Sequence, residues 1–284
     1  MLCLRLARRP APVGCSGGWK PPHRAHTREA LAAWQALPGS AARQRCPIER
    51  VAWGSITADE FERGYVHARK PVLFTGAAKA VCSKPRHWTR RGLLGRHGAT
   101  TAAADTGCEL AQHGGRSDRK LALSELVAQF GSEENADNEF FVLDPKLATH
   151  FSRSFAEPRL FRSFAEYEES LPDAPVGPAS GSSWKRLSLG GDGVGLGLHA
   201  HAQFWLGLIH GHKRWLLFPP GRLGGNSTQS ALVPNRMLGV PGLLRQLEGL
   251  EVATEMHDCV QGPSELLYVP TGWTHATMNL GKSE

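Results

Sequence analysis

The chain has 284 residues, 41% of them hydrophobic, and a formal net charge of +7. That length suits one compact domain with an appendage, or at most two small domains, and no uncharged apolar run approaches the roughly 18 residues that a bilayer-spanning helix needs. The first 50 residues hold nine Lys/Arg against two acids, whereas residues 51–284 carry 24 of each sign. The body therefore lacks the cationic surplus with which a duplex-binding domain displaces counterions, and neither nucleic acid nor a membrane span is expected.

Residues 1–45 are rich in Ala, Pro, Gly and Arg and read as a disordered basic leader with one short helix near 28–37. The first 28 residues contain six Lys/Arg and no acid, a composition like a mitochondrial presequence. The apolar stretch before Arg8 is too short for a secretory signal. Thr57 and Glu60 fit a capping box with Ile56 and Phe61 as the hydrophobic staple, which predicts a helix over 58–68. Pro71 then opens an apolar strand over 72–75, stopped by Gly76. A second amphipathic helix, "LALSELVAQFGS", turns Leu126, Val127 and Phe130 inward, and a strand follows at 139–144. The repeated "RSFAE" at 153–157 and 162–166 is too short and isolated for a solenoid. Residues 172–183 form a Pro/Gly/Ser linker.

From Trp184 onward the pattern is β-rich, with strands expected at 184–189, 196–202, 204–210, 213–218, 265–269 and 274–280. A short helix at 240–250 interrupts them. Short strands punctuated by Gly and Pro predict a barrel or sandwich. The chain thus divides into the leader 1–45, a helix-and-strand part 46–183 and a barrel core 184–284. The six cysteines (3, 15, 46, 82, 108 and 259) form no CxxC pair, which argues against a zinc ribbon. Disulfides in an oxidising compartment and buried thiols both stay open. Asn226-Ser227-Thr228 is a sequon in a loop and accepts a glycan if the chain enters the secretory pathway.

The chemistry concentrates in histidines. His199 and His201 are one residue apart, so in extended backbone both imidazoles face one side. His275 arrives from a distant strand. Three such rings form one face of a metal site with positions left open. His210 and His212 share that spacing but flank Gly211, and they read as an exposed turn pair. Periodicity alone does not separate the two pairs. Trp205, Trp215 and Tyr268 are candidate wall residues or core residues.

The stretches "LHAHAQFWLGLIHGHKRWLLFPP" and "SELLYVPTGWTHATMNL", with "RKPVLFTG" nearer the start, resemble the jumonji-C family of Fe(II) and 2-oxoglutarate oxygenases. The likeness covers roughly residues 46–281. Arg45-Cys46 followed by Glu49-Arg50, and histidine at the second motif position, resemble the branch of the family found in the endoplasmic-reticulum lumen. The resemblance implies a mainly β fold with flanking helices, a double-stranded β-helix of the jelly-roll or cupin-like kind. It puts His199, His201 and His275 in the metal positions and Lys213 where a cation pairs with the far carboxylate of 2-oxoglutarate. It implies a protein substrate or partner, and lumenal residence with Asn226 glycosylated; the leader keeps mitochondrial or cytoplasmic placement as the alternative.

Three departures shape the functional expectation. His201 stands where the family has an acid, and neutral imidazole neither offsets the metal's charge nor stabilises oxidised iron. A three-histidine set suits Zn(II) as well as Fe(II), so zinc or no metal are alternatives to iron. Leu196 stands three positions before His199, where the family often has a hydroxyl that holds the co-substrate. The chain stops nine residues after His275, where the family continues with one more core strand, so the last barrel strand is expected to be missing, through a truncated isoform or an incomplete gene model. The resulting expectation is a regulatory pseudoenzyme with weak or no catalysis. The alternative is an active 2-oxoglutarate-dependent protein hydroxylase that uses three histidines.

Overall fold

The computed structural model describes residues 25–37, 45–77, 82, 84–106, 118–130, 140–144, 160, 187–222, 239–248 and 255–281. Asn226, both "RSFAE" copies, the 172–183 linker, and Cys3, Cys15 and Cys108 lie outside them. The strands in chain order are β1 (Glu49–Ala52), β2 (Val72–Thr75), β3 (Thr101–Thr106), β4 (Lys120–Ala122), β5 (Phe140–Asp144), β6 (Leu187–Gly190), β7 (Phe204–Gly207), β8 (His212–Phe218), β9 (His257–Gln261), β10 (Leu266–Val269) and β11 (Thr274–Leu280). The helices are α1 (Ala25–Ala36), α2 (Ala58–Phe61), α3 (Arg90–His97), α4 (Leu123–Gln129) and α5 (Val240–Leu247).

Three sheets result, ordered β1-β2-β10-β7, β11-β8-β9 and β4-β3-β5-β6. This is the mixed, mainly β architecture with outer helices that the sequence predicts, although the described strands do not close into a complete barrel. In the first sheet, Val72, Phe74, Leu266 and Tyr268 join one core cluster, while Leu73, Leu267 and Val269 join another. The sheet is buried on both faces, which is why its strands read as continuous apolar runs. The second cluster also contains Trp215, Leu217 and Cys259 of the β11-β8-β9 sheet, so those two sheets face each other across an interior.

The opposite face of β11-β8-β9 carries Leu216, Phe218, Val260, Ala276, Met278 and Leu280. On it sit Val240, Leu243 and Leu247 of α5, each buried. Burying three such side chains is worth about 1.5–3 kcal/mol each. Helix α1 packs here too through Ala30, Leu31 and Trp34. The leader is thus ordered in part: the Thr27 hydroxyl donates to Asp192 Oδ2 (2.9 Å), and Asp192 Oδ1 accepts from the Gly281 amide (2.7 Å). The short helix expected near 28–37 is this element, which begins three residues earlier, at Ala25.

The capping box forms as expected. Glu60 N donates to Thr57 Oγ1 (3.2 Å) and Thr57 N to Glu60 Oε2 (2.8 Å). The helix expected over 58–68 runs on from α2 as a widened π-helical turn, Glu62–Val66. Leu126, Val127 and Phe130 are buried, as the amphipathic pattern requires. Two strands are shorter than expected. The 204–210 strand ends at Gly207, and the 196–202 strand reduces to a single bridge between His199 and His275. The strands β1, β3, β4 and β9 and the helix α3 were not expected at all.

The "RC" and "ER" pairs make one clasp. Arg45 Nε lies 3.0 Å from Asp258 Oδ2, and Arg214 holds both oxygens of the same carboxylate at 2.8 and 2.7 Å. Cys46 is disulfide-bonded to Cys259, across a sequence separation of 213. Glu49 Oε2 accepts from the Tyr65 hydroxyl (2.9 Å), and Arg50 reaches Val260 O (3.0 Å) and Glu265 Oε1 (2.6 Å). The segment 45–50 is thereby stitched along β9. Chain-entropy arithmetic for so long a loop gives about 5 kcal/mol. The Cys46→Ala/Cys259→Ala variant should therefore show a clearly lower urea midpoint than the oxidised protein; an unchanged midpoint would mean that the disulfide does not hold the fold.

Candidate metal centre and the interior wall

Alternation along β11 sends His275, Thr277 and Asn279 to the interior. Their partners in register on β8 are Leu217, Trp215 and Lys213, and on β9 the same face carries His257, Cys259 and Gln261. Across the other edge of β11, residues 193–199 run antiparallel to it. His199 and His275 exchange both backbone hydrogen bonds (3.0 and 2.9 Å), Thr277 N donates to Leu196 O (2.9 Å) and Asn279 N to Val194 O (2.8 Å). This pairing brings the histidines together.

The ligand atoms of His199, His201 and His275 all lie within 4.8 Å of one another. Ring centroids are 4.3 Å apart for His199 and His275, 5.1 Å for His201 and His275, and 5.4 Å for His199 and His201. His275 is buried, His199 half-buried and His201 exposed, so the cluster lies at the mouth of the interior. Each ring donates its Nδ1 proton to a nearby carbonyl: His199 to Gly197 (2.7 Å), His201 to Ala202 (2.7 Å) and His275 to Trp273 (3.0 Å). A carbonyl only accepts, so each neutral ring is fixed as the Nδ1–H tautomer with its lone pair on Nε2. Metal-bound histidines are oriented in this way. An ion with bonds near ~2.1 Å needs nitrogens roughly 3–3.5 Å apart, a contraction within reach of small side-chain rotations. The residues fit a divalent ion.

Burial holds His275 well below the usual imidazole range, with the neighbouring His199 and His201 adding to the shift. It therefore stays neutral, which is the form a metal binds.

Lys213 is 2% exposed, and its Nζ donates to Asn279 Oδ1 at 2.6 Å. Burial pushes its ammonium down to about 7. Gln261 is fully committed beside it, accepting from Trp215 Nε1 (3.0 Å) and donating to Leu206 O and Glu265 O (2.9 Å each). The nearest aromatic wall is Phe204, with its ring 4.7 Å from His201 and 4.9 Å from His275. Trp215 stands 5.9 Å from His275. Trp205 and Tyr268, paired in register on β7 and β10, face the other way into the core, where Tyr268 packs on Phe61 at 5.0 Å.

His210 and His212 are not the exposed pair that their turn suggested. Both are half-buried, and burial lowers the His212 pKa. Phe204, Thr277 and Asn279 were not singled out from sequence. Stepping by two from His275, and by one from Trp205, would have found them.

The sign of the pH dependence follows from the depressed imidazoles. His275, His212 and His257 all titrate below the unfolded value in the folded chain. As pH falls through about 6.5 the unfolded chain takes up protons that the folded chain refuses, so stability drops. Chelator-treated protein should melt at a lower temperature at pH 5.5 than at pH 7.5, and His275→Asn should flatten that slope. An identical slope in the variant would remove His275 from the account.

No protein-family model matches the chain. Its sequence is similar to JmjC domain-containing protein 8 of Homo sapiens, 26% identical over 276 residues, which cover 94% of this chain and 87% of that protein. It is 26% identical over 240 residues to Lysine-specific demethylase JMJ21 of Arabidopsis thaliana, covering 80% of this chain and 23% of the demethylase. It is 23% identical over 261 residues to Bifunctional arginine demethylase and lysyl-hydroxylase psr-1 of Caenorhabditis elegans, covering 83% and 59%. With these relatives, a cupin-like arrangement of strands and three converging histidines at its mouth, the chain is similar to the oxygenase-like proteins of the jumonji-C family.

Proposed function

We propose that this chain binds a divalent metal and 2-oxoglutarate, turns them over weakly or not at all, and acts on a protein partner in the lumen of the endoplasmic reticulum. The observation that carries the reading is the set of three Nδ1-to-carbonyl hydrogen bonds. Together they aim three neutral lone pairs at one place and leave no protein charge there. His199, His201 and His275 hold the ion, and Lys213 anchors the co-substrate's far carboxylate. Bound Fe(II) supplies dioxygen activation coupled to decarboxylation of 2-oxoglutarate; three neutral ligands weaken that chemistry, because none offsets the charge that rises on oxidation. The same set accepts Zn(II).

A second reading, active hydroxylation, is favoured by the intact cation site. Lys213 is buried on the interior face, where its side chain suits an anionic ligand. The relatives named for lysine and arginine chemistry support a basic protein side chain as its substrate class. Lumenal placement is supported by the Cys46–Cys259 disulfide, since such bonds persist in oxidising compartments. Glycosylation at Asn226 belongs to the same proposal.

Purified protein should bind one equivalent of Zn(II) or Fe(II) in equilibrium dialysis. Substituting only an outer partner of a ligand costs about 10- to 100-fold in affinity, so His275→Ala should lose at least that. Wild-type binding no tighter than the variant's would sink the metal site. With iron and ascorbate, succinate release from 2-oxoglutarate should stay at the level of a His199→Ala control; release well above it would establish the hydroxylase reading instead. The expressed protein should shift in mobility after endoglycosidase H, and an Asn226→Gln variant should not. No shift in the wild type would argue against the lumen.

A further inference from the structure

The interior face of β11 carries a hydroxyl that the metal and cation assignments leave unused. Thr277 is 4% exposed and lies between His275 and Asn279 on that face, in register with Trp215. Its Oγ1 accepts the backbone N–H of Leu196 at 3.0 Å. Among the described residues, this hydroxyl makes no hydrogen bond as a donor. A buried O–H donor without an acceptor is costly, and its natural complement is an anionic oxygen. Two strand positions along, Asn279 and Lys213 meet at 2.6 Å. Thr277 therefore stands between the histidine cluster and the ammonium, and it is tethered to Leu196, the position whose side chain has no hydroxyl to offer.

We infer that the Thr277 hydroxyl donates to a carboxylate of a short dicarboxylate ligand held by Lys213, supplying from β11 the hydrogen bond that Leu196 cannot make. This rests on the 2-oxoglutarate-binding reading above. The Leu196 amide, by donating to Oγ1, holds the side chain in place and occupies one lone pair, so the hydroxyl proton stays available for a ligand. Thr277 is a positioning residue for the ligand and has no part in holding the metal.

The experiment titrates 2-oxoglutarate into wild type, Thr277→Val and Thr277→Ser, each with saturating Zn(II), and separately measures Zn(II) affinity. Loss of one hydrogen bond to a charged oxygen should weaken 2-oxoglutarate about 10- to 100-fold in Thr277→Val. Thr277→Ser should stay close to wild type, and Zn(II) affinity should be the same in all three. Two-oxoglutarate binding unchanged in Thr277→Val would overturn the inference and leave the proposed function standing. Parallel loss of 2-oxoglutarate and Zn(II) would also overturn it, because a merely structural role would loosen the His199–His275 bridge on the same ladder. Wild type that binds Zn(II) but no 2-oxoglutarate would remove both the inference and the reading beneath it.

Discussion

The site depends on how closely residues 193–199 approach β11. At Gly195 a Cβ would fall onto the carbonyl of Thr277, and within 2.8 Å of Met278 Cα. Only glycine lets the two backbones lie this near. That contact sets the register in which His199 and His275 exchange hydrogen bonds, and every other feature of the histidine cluster follows from it. A shift of one residue would send one of the two rings to the opposite face.

The interior wall then orders chemistry along a single strand. His275, Thr277 and Asn279 step inward from the mouth, and Lys213 closes the row from β8. Buried polar groups cost free energy unless they are satisfied. Here the cost is met unevenly. Gln261 satisfies itself completely against Trp215, Leu206 and Glu265. Lys213 meets a neutral amide at Asn279, and Thr277 retains an O–H to give. The clasp at residues 45–50 sits at the β9 edge of the same sheet and holds rigid the element from which Gln261 projects.

Sequence exposed this arrangement in proportion to how apolar each element was. The strands 72–75 and 274–280 and the capped helix at 58 were legible because their patterns are simple. β9 was not, since His257, Cys259 and Gln261 face an interior that is itself partly polar, and Asp258 on the other side is buried by two arginines. Alternation of apolar with polar residues assumes a dry interior and a wet exterior, and here neither condition holds. β3, "TAAADT", and β4, three residues long, carry almost no strand propensity of their own. The histidine triad was readable because HxH spacing and a distant third histidine survive any uncertainty in boundaries. Phe204 was hidden by Trp205, the larger neighbour on the wrong face. The "RC" and "ER" pairs were visible as a likeness only; their meaning needed β9, which the sequence had concealed.

The exchange of an acid for His201 acts on two properties in opposite directions. A carboxylate ligand would lower the charge of a bound divalent ion by one, easing its oxidation and weakening its pull on an incoming anion. Three neutral imidazoles keep the full charge of the ion in place, with the Lys213 ammonium further in. In the low effective dielectric of a barrel interior, that surplus raises the attraction for a dicarboxylate. It also raises the cost of removing an electron from the metal. One substitution therefore favours holding the co-substrate over consuming it. The site keeps a buried Lys213, three imidazoles oriented through Nδ1 and a hydroxyl at Thr277, groups that suit a dicarboxylate beside a metal ion. For the function proposed above, that combination favours a ligand-binding role over turnover.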